Sequence, residues 1–209
     1  MSPNEPGGLR ERKKIATREA LSTAALRLAL ERGPENVRVD DIAEAAGVSP
    51  RTYNNYFSSR EQAIVASLAA ERALRVGAAL RARPEDEPLA EAVVAAVLDL
   101  YTSAEQPSGD ALALITSNPA LRKAFVQTIT EIEQPLAAAI EARIGADAGL
   151  APTVLAAAVS AAARVALENW VSPAPENPLL VVPQGSLADR MREALDYLAP
   201  ALEAADAPR

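Results

Sequence analysis

Residues 39–61 read Val39-Asp40-Asp41-Ile42-Ala43-Glu44-Ala45-Ala46-Gly47-Val48-Ser49-Pro50-Arg51-Thr52-Tyr53-Asn54-Asn55-Tyr56-Phe57-Ser58-Ser59-Arg60-Glu61, and this stretch decides the fold. Asp40 and Asp41 stand in the first turn of a short helix over about 39–46, where the helix dipole favours acids. Gly47 ends that helix with a backbone free to turn. Ser49 can then cap a second short helix that takes Pro50 in its first position and runs through Tyr56. Two short helices joined by a tight glycine turn form a helix-turn-helix, with small Ala43 at the close contact of the pair. Ile42, Val48 and Tyr53 fall on its inward faces. After it, Ser58-Ser59-Arg60-Glu61 matches a capping box opening a long helix to about Arg83.

Working outward, a helix from about Leu9 to Arg32 precedes the pair. Its apolar face carries Leu21, Ala25 and Leu28 at i, i+4 and i+7. Gly33-Pro34 stops it. The three helices can therefore share one small core. The second helix of the pair turns Arg51, Thr52, Asn54, Asn55 and Tyr56 outward, a set of hydrogen-bonding groups suited to base edges and phosphates.

Charge agrees with that face only once it is divided along the chain. The 209 residues have a net charge of −7, which taken whole argues against a nucleic-acid partner. Residues 1–60 hold ten Lys/Arg against eight Asp/Glu, whereas residues 61–209 hold eleven against twenty. Arg10, Arg12, Lys13, Lys14 and Arg18 concentrate the basic excess near the start, opposed there only by Glu11. They read as a basic leader adding phosphate contacts, Lys13 and Lys14 foremost. A solvated helix start is the plainer reading of the same run.

Composition narrows the remaining classes. Alanine and leucine supply about a third of the chain and only seven residues are aromatic, so an all-α fold is expected and a sandwich or barrel is not. There is no cysteine and no histidine. That removes disulfide frameworks, thiolate zinc sites and imidazole-based triads, and no metal or cofactor is expected. The first eight residues lack the apolar run of a secretory signal. The Val154–Leu167 stretch falls short of the ~18–20 residues that span a bilayer, so a cytoplasmic protein without membrane association is expected.

Beyond residue 60, breakers divide the chain into helices at roughly 86–104, 109–116, 119–144, 152–171 and 186–204. Pro135 should kink or break the third of these near Glu133. The segment from Ser172 to Gly185 contains Pro173, Pro175, Pro178 and Pro183 and reads as a long loop. Its Leu179-Leu180-Val181-Val182 run is too apolar for a free linker and should pack on the body or on a partner chain.

The run Thr17-Arg18-Glu19-Ala20-Leu21, then Gly33, then Val39 through Ser49 and Arg51 through Glu61, resembles the DNA-binding domain of the tetracycline-repressor (TetR) family. The resemblance covers roughly residues 10–65; beyond that only the helical layout is similar. It implies a disordered leader over 1–9, a helix-turn-helix DNA-binding domain over 10–60, and a helical effector-binding and dimerisation domain over 61–209. By position, Thr52 and Tyr56 would touch phosphates while Arg51 and Asn55 read bases. Asn54 occupies a place where the family usually has an aromatic residue. Arg60 stands for the usual lysine and would still reach a phosphate. Arg38 replaces the usual threonine cap and would add a phosphate contact instead. Ala29 fills a site often held by phenylalanine, so Leu30 or Phe57 should repack the core.

The resemblance also implies a homodimer on double-stranded DNA with a palindromic operator. Val154, Ala158, Ala161 and Val165 on one helix, and Leu187, Met191, Ala194, Leu198 and Leu202 on the last, form apolar stripes that a partner subunit could bury as a four-helix bundle. Their plainer reading is core of a single chain. Tyr101, Phe125, Asn169 and Trp170 are candidate walls for a small-molecule effector site, and the Ala/Leu/Val-rich body leans toward an apolar effector. A repressor released by that effector is the expected mechanism, with an activator or an effector-independent regulator as alternatives. An all-α enzyme or a protein-interaction module are the readings from other classes.

Overall fold

The computed structural model describes residues 6–102, 109–170, 173–174, 177–181 and 186–207. The elements in chain order are α1 (Pro6–Arg32), α2 (Val39–Ala45), α3 (Pro50–Asn54), α4 (Arg60–Ala82), α5 (Leu89–Thr102), α6 (Gly109–Ser117), α7 (Pro119–Gln127), α8 (Glu133–Ile144), α9 (Ala151–Trp170), β1 (Pro173–Ala174), β2 (Asn177–Val181), α10 (Leu187–Asp196) and α11 (Ala199–Asp206). The fold is all-α apart from β1 and β2. These two pair antiparallel, Pro173 with Val181 and Ala174 with Asn177, so part of the proline-rich segment expected as loop is a short ladder.

The chain forms two compact units. The first runs to Ser67 and includes Asp110–Ala124; the second comprises Leu68–Gly109 and Phe125–Arg209. The division thus falls within α4 rather than at its start, and α6 with most of α7 groups with the N-terminal helices.

In the first unit, α1 packs on α2 and α2 on α3. Leu21, Ala25, Leu28, Ile42, Ala43 and Tyr53 are all buried, as their spacing predicts. Val48 is only half-buried. Ala29 is fully buried, Phe57 is buried and Leu30 is exposed, so of the two residues expected to repack the core Phe57 is the one inside it. α1 already begins at Pro6, so the helix starts within the leader expected over 1–9 and holds all the basic residues 10–18.

The second unit centres on α9, which packs against α8, α10 and α11 and against the 3-10 turn over Thr128–Ile132. Its alanines let neighbours approach closely: Ala156, Ala163 and Ala166 are buried beside Leu155, Val159 and Leu167. Among the described residues α9 is also the one helix long and apolar enough to cross a membrane by length and composition, because it runs past both ends of the 154–167 stretch. One face of it is core of the bundle. α5 packs on α10 and α11, and the carboxylate of Asp206 accepts from the Leu89 backbone N–H at 2.9 Å, satisfying an orphan donor in the first turn of α5. The Arg143 guanidinium donates to the backbone carbonyls of Pro84 and Glu87 at 2.8 and 2.6 Å, fixing the connection between α4 and α5.

One break falls where Pro135 predicts it, next to Glu133, and a second falls where none is expected. The helix expected over 119–144 tightens into the 3-10 turn at Thr128, and α8 restarts at Glu133 with Pro135 in its first turn, where a missing N–H costs nothing. The C-terminal helix expected as continuous over 186–204 divides at Tyr197–Leu198. Pro200 sits in the first turn of α11; its ring excludes the carbonyl four residues earlier and ends α10.

Candidate nucleic-acid interface

The turn between α2 and α3 closes with two backbone bonds. The Gly47 N–H donates to the Glu44 carbonyl at 3.0 Å and the Val48 N–H to the Ala43 carbonyl at 2.9 Å, the Schellman pattern. Gly47 holds φ at +68°, a conformation costly for residues with a Cβ. Ser49 then caps α3, its Oγ accepting from the Thr52 N–H at 3.1 Å. The Thr52 hydroxyl lies 2.9 Å from the same oxygen, which holds this side chain at the helix N-terminus.

Tyr53 and Phe57 anchor α3 from below. Their ring centroids are 5.8 Å apart and both are buried. The Tyr53 hydroxyl donates to the Ser59 carbonyl at 2.8 Å. Burial, with the Glu61 carboxylate nearby, pushes the phenol up to about 12, so it is a neutral donor at any physiological pH. Arg18 stacks over Phe57 at 5.5 Å, which makes this member of the basic run part of the packing. With those two rings inward, Arg51, Asn54 and Asn55 are exposed and Thr52 and Tyr56 half-buried. Arg51, Thr52 and Asn54 thus lie on α3, which ends at Asn54 rather than running through Tyr56, and Asn55 and Tyr56 follow in the turn after it.

The flanking basic residues divide into two kinds. Lys13 and Lys14 are exposed on α1, Lys14 with only a 4.0 Å pairing to Glu11, which solvent makes weak. Arg38 is exposed before α2. Its side chain has no acceptor to cap the helix, yet half of the capping arrangement persists: the Arg38 backbone N–H donates to Asp41 at 3.1 Å. Arg60 differs from both. Its Nη1 donates to the Glu35 and Val37 carbonyls at 3.1 and 3.3 Å and its Nε to Glu61 at 2.7 Å. The residue expected to reach for a phosphate is thus a clasp joining the start of α4 to the turn after α1. Burial alone would raise the Glu61 carboxyl, but hydrogen bonds from Arg60, from its own backbone N–H and from Ser59 hold it below the usual range.

The cap of α4 is displaced by one residue. Ser59 accepts from the Gln62 N–H at 3.2 Å, and the Gln62 side chain accepts from the Ser58 N–H at 3.2 Å. The pair is Ser59 and Gln62, not Ser58 and Glu61, because Arg60 draws Glu61 to itself.

With this geometry stand the comparisons. The family described as bacterial regulatory proteins, tetR family, matches residues 21–66, and a family described as MftR C-terminal domain matches residues 86–203. The chain is 33% identical over 180 residues to the HTH-type transcriptional regulator TcmR of Streptomyces glaucescens, covering 81% of this chain and 79% of that one. It belongs to the TetR family. This TetR-family chain is thus a DNA-binding transcriptional regulator and not an enzyme. It is also 33% identical over 106 residues to the regulator BetI of Rhizobium meliloti (strain 1021), covering 43% of this chain and 52% of BetI. A solved transcriptional regulator from Rhodococcus sp. Rha1 covers 92% of the chain and 99% of its own at 24% identity, with a TM-score of 0.42.

In the TetR-family body the sequence-derived residues separate. Phe125 is buried beneath the Arg72 guanidinium at 4.1 Å. Asn169 is exposed and donates to the Val165 carbonyl of its own helix at 2.8 Å, so it does not wall an enclosed site. Trp170 is half-buried at the end of α9, and the Tyr101 side chain lies outside the described residues. Met191 and Leu202 are fully buried within the chain's own bundle; the stripe expected on one continuous helix is cut at Tyr197, with one fully buried member on each side of the cut. Leu187 and Leu198 are half-buried. Val154 and Val165 are 59% and 45% exposed, with Ala161 exposed and Ala158 half-buried between them. The residue that sequence reasoning missed is Arg72. Its signal was its register: Leu68, Val76 and Leu80 recur every four residues on the buried side of α4, and Arg72 falls in the same row.

Proposed function

We propose that this regulator is a homodimeric repressor that reads a palindromic operator through α3. The observation that carries the reading is that Arg51, Thr52 and Asn54 on α3, with Asn55 and Tyr56 in the turn after it, are exposed or half-buried around the buried Tyr53–Phe57 pair. Arg51 and Asn55 carry the donor groups that suit base edges; Thr52, Tyr56, Arg38, Lys13 and Lys14 serve phosphates. Two such helices must lie ~34 Å apart to enter successive major grooves, which two chains supply and one does not. The row of exposed Val154, Ala161 and Val165 with half-buried Ala158 between them is the surface we assign to the second copy, since its two alanines permit close helix packing.

A small-molecule effector acts in the second unit. α4 is continuous from that unit into the first, where the Arg60 clasp ties its start to the Glu35 and Val37 carbonyls. An effector favouring one position of α4 would bias where α3 sits, so binding of effector and of operator oppose each other. The protein works in the cytoplasm on this reading. The test is a gel shift with the palindrome in the DNA beside the gene. A specific complex of two chains per duplex is expected, and no specific complex at low salt refutes the proposal.

A further inference from the structure

Arg72 is only 7% exposed, and long cations are almost never buried so deeply without a partner. Its Nε donates to the Leu68 carbonyl at 3.3 Å and its Nη2 to the Thr128 hydroxyl at 2.7 Å. Its carbon sits 4.1 Å over the Phe125 ring. Nη1 is buried with no hydrogen-bond partner. Among the described residues no carboxylate pairs with Arg72: every Arg–acid pair found there involves another arginine. Thr128 cannot relieve the charge, since its own hydroxyl donates to the Phe125 carbonyl at 2.7 Å. The guanidinium is thus oriented on two nitrogens and on one face, while the third nitrogen and the whole positive charge await an acceptor.

We propose that Arg72 anchors the carboxylate of a small organic acid, the effector class of this regulator. The inference rests on the effector-responsive reading above and replaces its lean toward an apolar effector by an amphipathic one. A carboxylate supplies both what the site lacks, an acceptor for Nη1 and a compensating charge. Leu68, Val76, Phe125, Ile129 and Ile132, buried on the same elements, suit an apolar body behind that head. Arg72 is placed here because binding needs it, not because stability does, and residues of that kind are where stability is sacrificed.

The experiment uses the full chain and thermal unfolding with sodium octanoate, sodium benzoate and sodium phenylacetate, each matched by its neutral alcohol and by sodium chloride. At least one acid should raise Tm by about 5–10 °C at about 100 times its dissociation constant, and its alcohol should not. Arg72→Met should melt at or above the wild type without ligand and lose the acid shift; Arg72→Lys should retain part of it. No acid shift in the wild type, an equal shift with the alcohol, a shift surviving in Arg72→Met, or an Arg72→Met variant melting several degrees lower would each overturn the proposal. A parallel operator-binding titration separates the two readings. Release by a neutral compound in both proteins overturns the acid while leaving effector control standing. An acid shift that leaves operator affinity unchanged keeps the site but refutes its role as effector site.

Discussion

The Tyr53 hydroxyl and the Ser59 carbonyl, 2.8 Å apart, join α3, the helix proposed to face DNA, to the start of α4. Tyr53→Phe keeps the ring packing and removes the bond, so an acceptor is left short in a part-buried place. A loss of about 1 kcal/mol is expected, read by urea unfolding at pH 7. The pH dependence carries a second signature. The folded phenol is raised from its ordinary 10.0 to about 12, so its contribution is complete below pH 10 and is lost as pH rises toward 12. The wild type should therefore lose stability across that alkaline window more steeply than Tyr53→Phe.

Gly47→Ala tests the turn. Nothing lies within 4 Å of an added Cβ, so the cost is that of the +68° backbone alone, about 1–2 kcal/mol. Gly47→Asn, which tolerates that conformation better, should recover part of the loss. Equal stability of the alanine variant and the wild type in urea would contradict the turn geometry.

Gly77→Ala opposes two effects within α4. Alanine gains about 1 kcal/mol of helix propensity, but its Cβ would stand 3.1 Å from the Pro135 carbonyl oxygen. That neighbour is backbone at the start of α8, and overpacking of this kind costs about 1–3 kcal/mol. A net loss of about 1 kcal/mol is expected, measured by calorimetry; a gain would show that α8 yields freely.

Arg51→Ala and Lys13→Ala should separate reading from holding. The first should cost about 1–3 kcal/mol on the operator and relax preference at one position of each half-site. The second should weaken binding to all sequences alike and lower the slope of log affinity against log salt by about 1. Competition with singly substituted duplexes, repeated at several salt concentrations, distinguishes them. Identical profiles would place Arg51 on a phosphate.

What was legible beforehand followed from local rules. Gly47 and Pro50 punctuate the chain whatever surrounds them, and Ile42, Tyr53, Leu21 and Leu28 keep helical period, so the three-helix core emerged from spacing. Departures arose where a tertiary partner outweighed a local pattern. Arg60 resembles a phosphate ligand until the carbonyls of Glu35 and Val37, more than twenty residues away, claim it. Glu61 fits a capping box until Arg60 takes it and Gln62 serves instead. Pro200 was the missed local signal: its place in a first turn divides the last helix, turns Met191 and Leu202 into their own core and moves the candidate dimer surface to α9. Arg72 was visible only as a charge in an apolar row, and its meaning required knowing which atom of it lacks a partner.

α3 and the turn after it, from Arg51 to Tyr56, are proposed to read DNA sequence as part of a pair of chains. Fluorescence anisotropy of the full protein, titrated into its palindromic site and into a scrambled duplex of equal length at the same salt, tests this reading most directly. Affinity for the palindrome should be at least about a thousandfold higher, with two chains bound per site, and Asn55→Ala should lose that preference. Equal affinity for the two duplexes would contradict the reading.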